Sequence, residues 1–470
     1  MSLSAVRHRL TPTLLLGLVC FIYILQRPVS SNNILVPVLG LLGLLAAGAL
    51  IRNGAPPARG ILIIIFTQLF AGAIALLVGS LHNTPGLWSQ AVVLLVAPIL
   101  FWTCAIALRS WMIRPIMVAA AIGTVILSLT ILLFVLGEQG LFPQILPSSL
   151  LIDSGAGINP VGQSIQIRFY GLSTLVAAGP LWLASLLVPR SGYLPGSTLR
   201  SVAAASALLA SLLTGRRALV VVLFLVPVLI WVVRRVLAPS RRGGPRRFLP
   251  VLPILWSSFL AGVIIVQLAP SLFSASSVTK ALSSPFAFVT GALPNDARNL
   301  ESVKLLNSWS SHPFLGSGAG AVVQNYFRDR DRPWNFELQY HMLLFTEGLM
   351  GATLFGVVIF LSVRFIRRAI LLHPDSFSVL VATSVAACAM LIANASDPYL
   401  QAPGHMWVIY LPLGIANAVL TGPLRDVGSC NDDLSEVRGC SRSSNIDATV
   451  SATNRVAKPA LGDVAKTPRH

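Results

Sequence analysis

Arg216 and Arg217 stand side by side in a gap between two apolar runs, and their type and placement could do chemistry. Leu199 to Leu213 is apolar, Thr214-Gly215-Arg216-Arg217 interrupts it, and Ala218 to Val233 resumes it. A guanidinium is permanently charged and presents a planar fork of N–H donors, so a pair suits a phosphate or diphosphate. Held in a short turn at a membrane surface, the pair implies an anion that is itself carried on a lipid. The plainer alternative is that both arginines snorkel to headgroup phosphates.

A second set of candidates lies between Asp296 and Glu347. Leu300, Val303, Leu306 and Trp309 recur at helical spacing, which predicts an amphipathic helix carrying Arg298 and stopping before Pro313. The turn Gly316-Ser317-Gly318-Ala319-Gly320 follows. Its backbone N–H groups could cradle an anion or sugar hydroxyls, although a plain tight turn explains the glycines equally simply. Arg328 to Arg332, alternating with Asp329 and Asp331, reads as a solvated, self-paired run. Glu337 and His341 are four residues apart at the start of an apolar helix, with Tyr340 between them and Glu347 further in. A carboxylate and an imidazole so spaced could act as general base and partner. In water a glutamate titrates near about 4.3 and is a poor base unless burial raises it. The alternative for Glu337 is a simple helix-start cap favoured by the helix dipole.

These residues are positioned by a membrane protein. The chain has 470 residues, 55% of them hydrophobic and only 11% charged, with mean hydropathy +0.77. That charged share is about half the usual for soluble domains. Lys and Arg outnumber Asp and Glu by 34 to 16; in a membrane protein such an excess anchors cytoplasmic loops, and no nucleic-acid partner is implied. Cys20, Cys104 and Cys388 lie in apolar runs and Cys430 and Cys440 in the tail, without CxxC spacing. Neither a zinc site nor a disulfide scaffold is indicated. The first apolar run is followed by Gln26-Arg27-Pro28 and lacks a small-residue cleavage site, so it reads as a retained span.

A spanning helix needs roughly 20 mostly apolar residues. On that scale the expected fold is all-α and polytopic, with about twelve spans at 12–26, 34–51, 60–80, 88–108, 116–137, 169–188, 199–215, 217–236, 249–269, 338–362, 377–395 and 405–421. Arginines fall on alternate loops: Arg7 and Arg9, Arg52 and Arg59, Arg109 and Arg114, Arg190 and Arg200, the cluster at 234–247, and Arg364 to Arg368. The positive-inside bias therefore makes both termini cytoplasmic. Arg27, Arg168 and the Arg216 pair then face outward, against the bias. The expected organisation is transmembrane helices over 1–269 with an outward loop at 138–168, and a large outward loop at 270–337. Further spans over 338–421 and a disordered cytoplasmic tail at 422–470 complete it.

Three stretches together resemble the O-antigen ligase and O-antigen polymerase superfamily of bacterial envelope glycan enzymes. The turn Thr214 to Arg217 before an apolar span resembles that family's Ser/Gly-Ser-Arg turn. Arg298 through Gly320, ending in His-Pro-Phe-Leu-Gly-Ser-Gly, resembles its arginine-led helix and Pro-x-x-Gly-x-Gly. Glu337 to Gly351, with Tyr340, Glu347 and Gly348, resembles its His-Asn-x-Tyr-Leu running to Gly-Leu-x-Gly. The match covers the second half of the chain; the first half shares only topology. Where the ligases carry a histidine this chain has Glu337, with His341 one turn later and out of register. That departure leans towards the polymerases.

The resemblance implies glycan transfer from undecaprenyl diphosphate to an acceptor sugar hydroxyl at the outer face of the bacterial cytoplasmic membrane. Arg216 and Arg217 would hold the departing diphosphate. Glu337 or His341 would orient or deprotonate the acceptor, and Arg298, Arg168, Gly316, Gly318 and Tyr340 would bind substrate. For Arg168 lipid anchoring is an equal alternative. No cofactor or metal is expected. The implied partners are the lipid-linked glycan, an acceptor glycan or glycolipid and the bilayer, with a chain-length regulator protein as a further candidate. Ligation to a lipid anchor is the near alternative. A lipid-linked glycan transporter or flippase is the alternative of another class, and it would place ionisable groups at mid-membrane; Gln68 and Asn394 are the main polar occupants of these spans.

Overall fold

The computed structural model describes residues 12–28, 34–53, 56–138, 142–147, 151, 156–161, 164–169, 171–213, 217–238, 296–328 and 330–422. Arg216, the expected span at 249–269, the loop segment 270–295 and the tail beyond 422 lie outside the described residues. Lipid offers backbone N–H and C=O groups no water, so an apolar segment must satisfy them internally, and helix follows. The helices are α1 (Pro12–Gln26), α2 (Leu35–Asn53), α3 (Arg59–Leu81), α4 (Leu87–Ala107), α5 (Ser110–Glu138), α6 (Leu175–Leu187), α7 (Ser197–Leu213) and α8 (Arg217–Leu237). They continue with α9 (Asp296–Trp309), α10 (Gln339–Leu372), α11 (Phe377–Ala393) and α12 (Trp407–Leu420).

Among the described residues seven helices are long and apolar enough to cross a membrane: α2 to α5, α8, α10, and α11 with its 3-10 lead-in. The other expected spans within the described residues are shorter, with 15, 13, 17 and 14 residues in α1, α6, α7 and α12. Two of them lose their first turns to other structure. Ahead of the expected span at 169–188, β1 (Gly157–Val161) pairs antiparallel with β2 (Ser164–Arg168) in a hairpin, and within that span Leu172–Thr174 is 3-10 before α6 begins. Likewise Pro403–His405 makes a 3-10 turn ahead of α12. The hairpin, in register Gly157↔Arg168 and Asn159↔Gln166, is an exception to the all-helical expectation.

The core centres on α6 and α11, which are buried on nearly every face (Trp182, Leu380 and Val385 reach 0% exposure). Helices apolar all round belong there or in lipid. α2 illustrates the second case, with Val36, Leu44 and Ile51 exposed.

The two ends of the bundle differ chemically. At one end Ala58 N–H donates to Asn417 Oδ1 (3.0 Å), Ser191 Oγ donates to the Asp375 carbonyl (3.0 Å), and Arg234 lies 6.0 Å from the Phe377 ring centroid. Arg59, Arg190, Arg200, Arg234 and Arg364 belong to this end by their places on the helices. At the other end α10 is broken. Gly348 (φ 64°, ψ −165°) leaves the helical region, and the loop 313–318 is spliced into the gap. Ser317 N–H donates to the Phe345 carbonyl (2.8 Å) and Gly318 N–H to that of Thr346 (3.0 Å). From the far side Leu349 N–H donates to Pro313 O (2.9 Å) and Met350 N–H to Phe314 O (3.0 Å). The helix break leaves no stranded backbone there, because the loop takes the place of the missing turn. The same loop joins α3 and α4, through Ala319 N–H to Ala75 O (2.9 Å) and Gly86 N–H to Gly320 O (3.1 Å).

Candidate functional site

α9 docks on this end through its polar face. Leu300, Val303 and Leu306, the expected buried stripe, are 49%, 55% and 36% exposed, whereas Glu301 and Leu305 are fully buried. The inward stripe is the half-buried Arg298 with the buried Glu301 and Leu305, also at helical spacing. Leu305 joins Ala321, Val323, Phe336, Met342 and Phe345 in a small apolar core beneath the loop. That core brings the charged side chains together.

Arg298 Nε meets Glu337 Oε2 at 2.8 Å, and its terminal nitrogen lies 3.7 Å from Asp397. Arg328 reaches Glu337 Oε1 at 2.5 Å and Glu301 at 3.4 Å. Glu301 Oε1 accepts the Leu338 N–H (2.8 Å), and its Oε2 accepts from the Tyr326 hydroxyl (3.1 Å). Burial works against the Arg298 charge, but Glu337, Asp397 and Glu301 more than offset it and hold the guanidinium above its ordinary range. Burial and the neighbouring Glu301 push the Tyr326 phenol up to about 12, so its hydroxyl remains a donor.

This geometry redistributes the expected roles. Glu337 lies two residues ahead of α10 and shares no helix face with His341. Both its oxygens are held by arginines, so it acts as an anchor for the loop more readily than as a base. Arg298 is likewise committed to carboxylates. Three carboxylates surround two guanidiniums, an unfavourable cradle for a diphosphate. The Gly316 and Gly318 N–H groups are used within the fold, donating to His312 O (2.9 Å) and Thr346 O (3.0 Å). Tyr340 donates its hydroxyl to the Leu391 carbonyl (2.6 Å), and His341 is half-buried. Arg168 pairs with Gly157 through its backbone. Arg217 is the first residue of α8, at the positive end of that helix dipole. Because α7 starts near the arginine-rich end, its last residue Leu213 and the start of α8 fall at the end carrying α9. The sequence reading missed Glu301, the partners of Arg328, and Asp397. Only the 298/301/305 spacing offered a signal for the first.

Beneath the glycine loop lies a cavity of about 430 Å³ between α3, α4, α8, α10, α11 and α12. Part of its wall is already paired: Gln90 with Gln401 (2.9 Å), and Gln68 with Tyr410 (2.7 Å) and Trp102 (3.0 Å).

Arg328→Ala leaves Glu337 paired to Arg298, and Glu301 still accepting from the Leu338 N–H and the Tyr326 hydroxyl. With the Arg328 side chain 35% exposed, we expect a loss of only about 1 kcal/mol after solvent screening, read as a small drop in melting midpoint in detergent.

Compared with known proteins, the chain matches no family model and no curated sequence.

Proposed function

We propose that the chain transfers a glycan from an undecaprenyl-diphosphate donor to a sugar hydroxyl, polymerising repeat units of a surface polysaccharide at the outer face of a bacterial cytoplasmic membrane. One observation carries most of this: a loop clamped by Arg298, Arg328, Glu301 and Glu337 roofs a partly polar cavity at one end of an apolar bundle. With the arginine-rich end in the cytoplasm, that roofed end faces outward. Counting a span at 249–269, the chain crosses twelve times and keeps both termini cytoplasmic. A rigid outward roof over a membrane cavity suits a lipid-carried substrate whose reacting sugar sits at headgroup depth.

Outside the cell no ATP is at hand, so the donor brings its own activated bond. The acceptor oxygen attacks the anomeric carbon, and the bond to the diphosphate breaks with its electron pair. Charge then develops on the leaving group, where preorganised cations contribute most. Arg217, the first residue of α8, and its sequence neighbour Arg216 supply that stabilisation.

The test is the surface-glycan ladder of a deletion strain carrying wild type or Arg217→Ala at equal membrane levels. Loss of a transition-state donor costs about 10²–10³ in rate, so long chains should vanish while single repeats still reach their anchor. Long lipid-linked polymer that never reaches the anchor would instead identify a ligase. A ladder unchanged by Arg217→Ala removes the cation clamp from the account.

A further inference from the structure

The cavity under the glycine loop holds a carboxylate with no partner among the described residues. Glu347 makes no hydrogen bond or ion pair among the described residues, although it lines a cavity in which Gln90 pairs with Gln401 and Gln68 with Tyr410. Gln339, Leu343, Glu347 and Gly351, each four residues after the last, form one stripe of α10 along this wall. Gln339 Oε1 is buried without a partner, and so is the hydroxyl of Ser384, a residue only 7% exposed. Buried polar groups are ordinarily paired, so the Gln339 and Ser384 atoms beside the half-buried Glu347 carboxylate call for a ligand. Two of the three are pure acceptors, which selects a ligand rich in O–H donors and disfavours an anion.

The carboxylate sits within reach of the membrane surface. Gly316 packs against the backbone of Thr346 and Glu347, and Gly318 packs against Gly79 near the end of α3. Glu347 therefore lies at the level of the last turns of α3, beneath the loop and not at mid-bundle. Gly351 leaves the space that the side chain occupies: a Cβ there would lie 2.2 Å from Glu347 Cβ and 2.8 Å from Oε2.

Building on the glycan-transfer proposal, we infer that this cavity receives the acceptor sugar and that Glu347, in place of the doubly engaged Glu337, accepts the proton of its attacking hydroxyl. The acceptor O–H bond breaks towards the carboxylate as the new glycosidic C–O bond forms. The anomeric C–O bond to the diphosphate breaks, its electron pair leaves on the diphosphate, and Glu347 later returns its proton to water. Gln339 and Ser384 orient the other hydroxyls of the same sugar.

The test uses the full-length protein in a deletion strain, as wild type, Glu347→Gln, Glu347→Asp and Arg217→Ala. Glu347→Gln is isosteric and removes no hydrogen bond seen among the described residues, so its melting midpoint should match wild type. Its long-chain glycan should fall at least about 100-fold, the usual contribution of a general base, with Glu347→Asp retaining part. Independently, dicyclohexylcarbodiimide added to membrane vesicles of wild type should modify Glu347 and abolish chain growth. A full ladder in Glu347→Gln while Arg217→Ala has none overturns this inference and leaves glycan transfer standing. Modification of Glu347 with chain growth intact, or no modification, also overturns it. A deletion strain with normal surface glycan overturns glycan transfer itself.

Discussion

Glu301→Ala should lower both the melting midpoint in detergent and the membrane level of the protein substantially. The Glu301 side chain is fully buried and serves three donors: the Leu338 N–H, the Tyr326 hydroxyl and Arg328. Removing it leaves the Leu338 N–H and the Tyr326 hydroxyl without their acceptor and strips Arg328 of one partner. Breaking a buried ion pair costs about 3–5 kcal/mol. The retained pairing of Arg328 with Glu337 and its partial exposure place the expected loss near the lower end, at about 3 kcal/mol. That is a large share of a typical stability of about 5–15 kcal/mol. Glu301→Gln should fall between, since an amide oxygen can still accept from Leu338 while its NH2 opposes Arg328. If Glu301→Ala melts like wild type, the ion-pair cluster does not hold the loop.

Gly318→Ala should be comparably damaging, for a purely steric reason. Gly318 has φ 91°, and a Cβ there would lie 2.4 Å from both Cα and N of Gly79. Left-handed backbone costs an L-residue about 1–2 kcal/mol. The clash adds to this because the opposing atoms are main chain of α3 and cannot rotate away. The expected total is at least about 3 kcal/mol, combining that strain with overpacking of about 1–3 kcal/mol. Gly356→Ala is the control: nothing lies within 4 Å of its Cβ position in α10, so it should leave the midpoint unchanged or raise it slightly. Equal midpoints for Gly318→Ala and Gly356→Ala would mean that the loop is not wedged between α3 and α10.

The membrane character and most of the helices were legible from hydropathy, because lipid leaves an apolar segment no alternative to helix. Span ends were less legible where local chemistry competes, as with the hairpin ahead of α6 and the Pro403–His405 turn ahead of α12. Within the site, the glycine turn was readable as a turn, since only glycine tolerates three successive close approaches at positive φ. Its insertion into a broken α10 was not, because that depends on carbonyls of Phe345 and Thr346 that the sequence gives no reason to free. The alternation of Arg328 with Asp329 and Asp331 suggested local pairing, whereas Arg328 reaches Glu301 and Glu337. Spacing reports neighbours along a helix and is blind to partners brought in by the fold. The same blindness left both Glu337 and His341 as candidates for the base, because the engagement of Glu337 by two arginines appears only in three dimensions.

The most direct measurement is a reconstitution. The purified full-length protein is placed in liposomes with the undecaprenyl-diphosphate-linked repeat extracted from a strain lacking it, in the presence of a metal chelator. We expect lipid-linked chains of two or more repeats to appear, with one undecaprenyl diphosphate released for each new linkage. Recovery of the donor unchanged, or its movement between leaflets without any new glycosidic bond, would contradict glycosyl transfer and return the chain to the transporters.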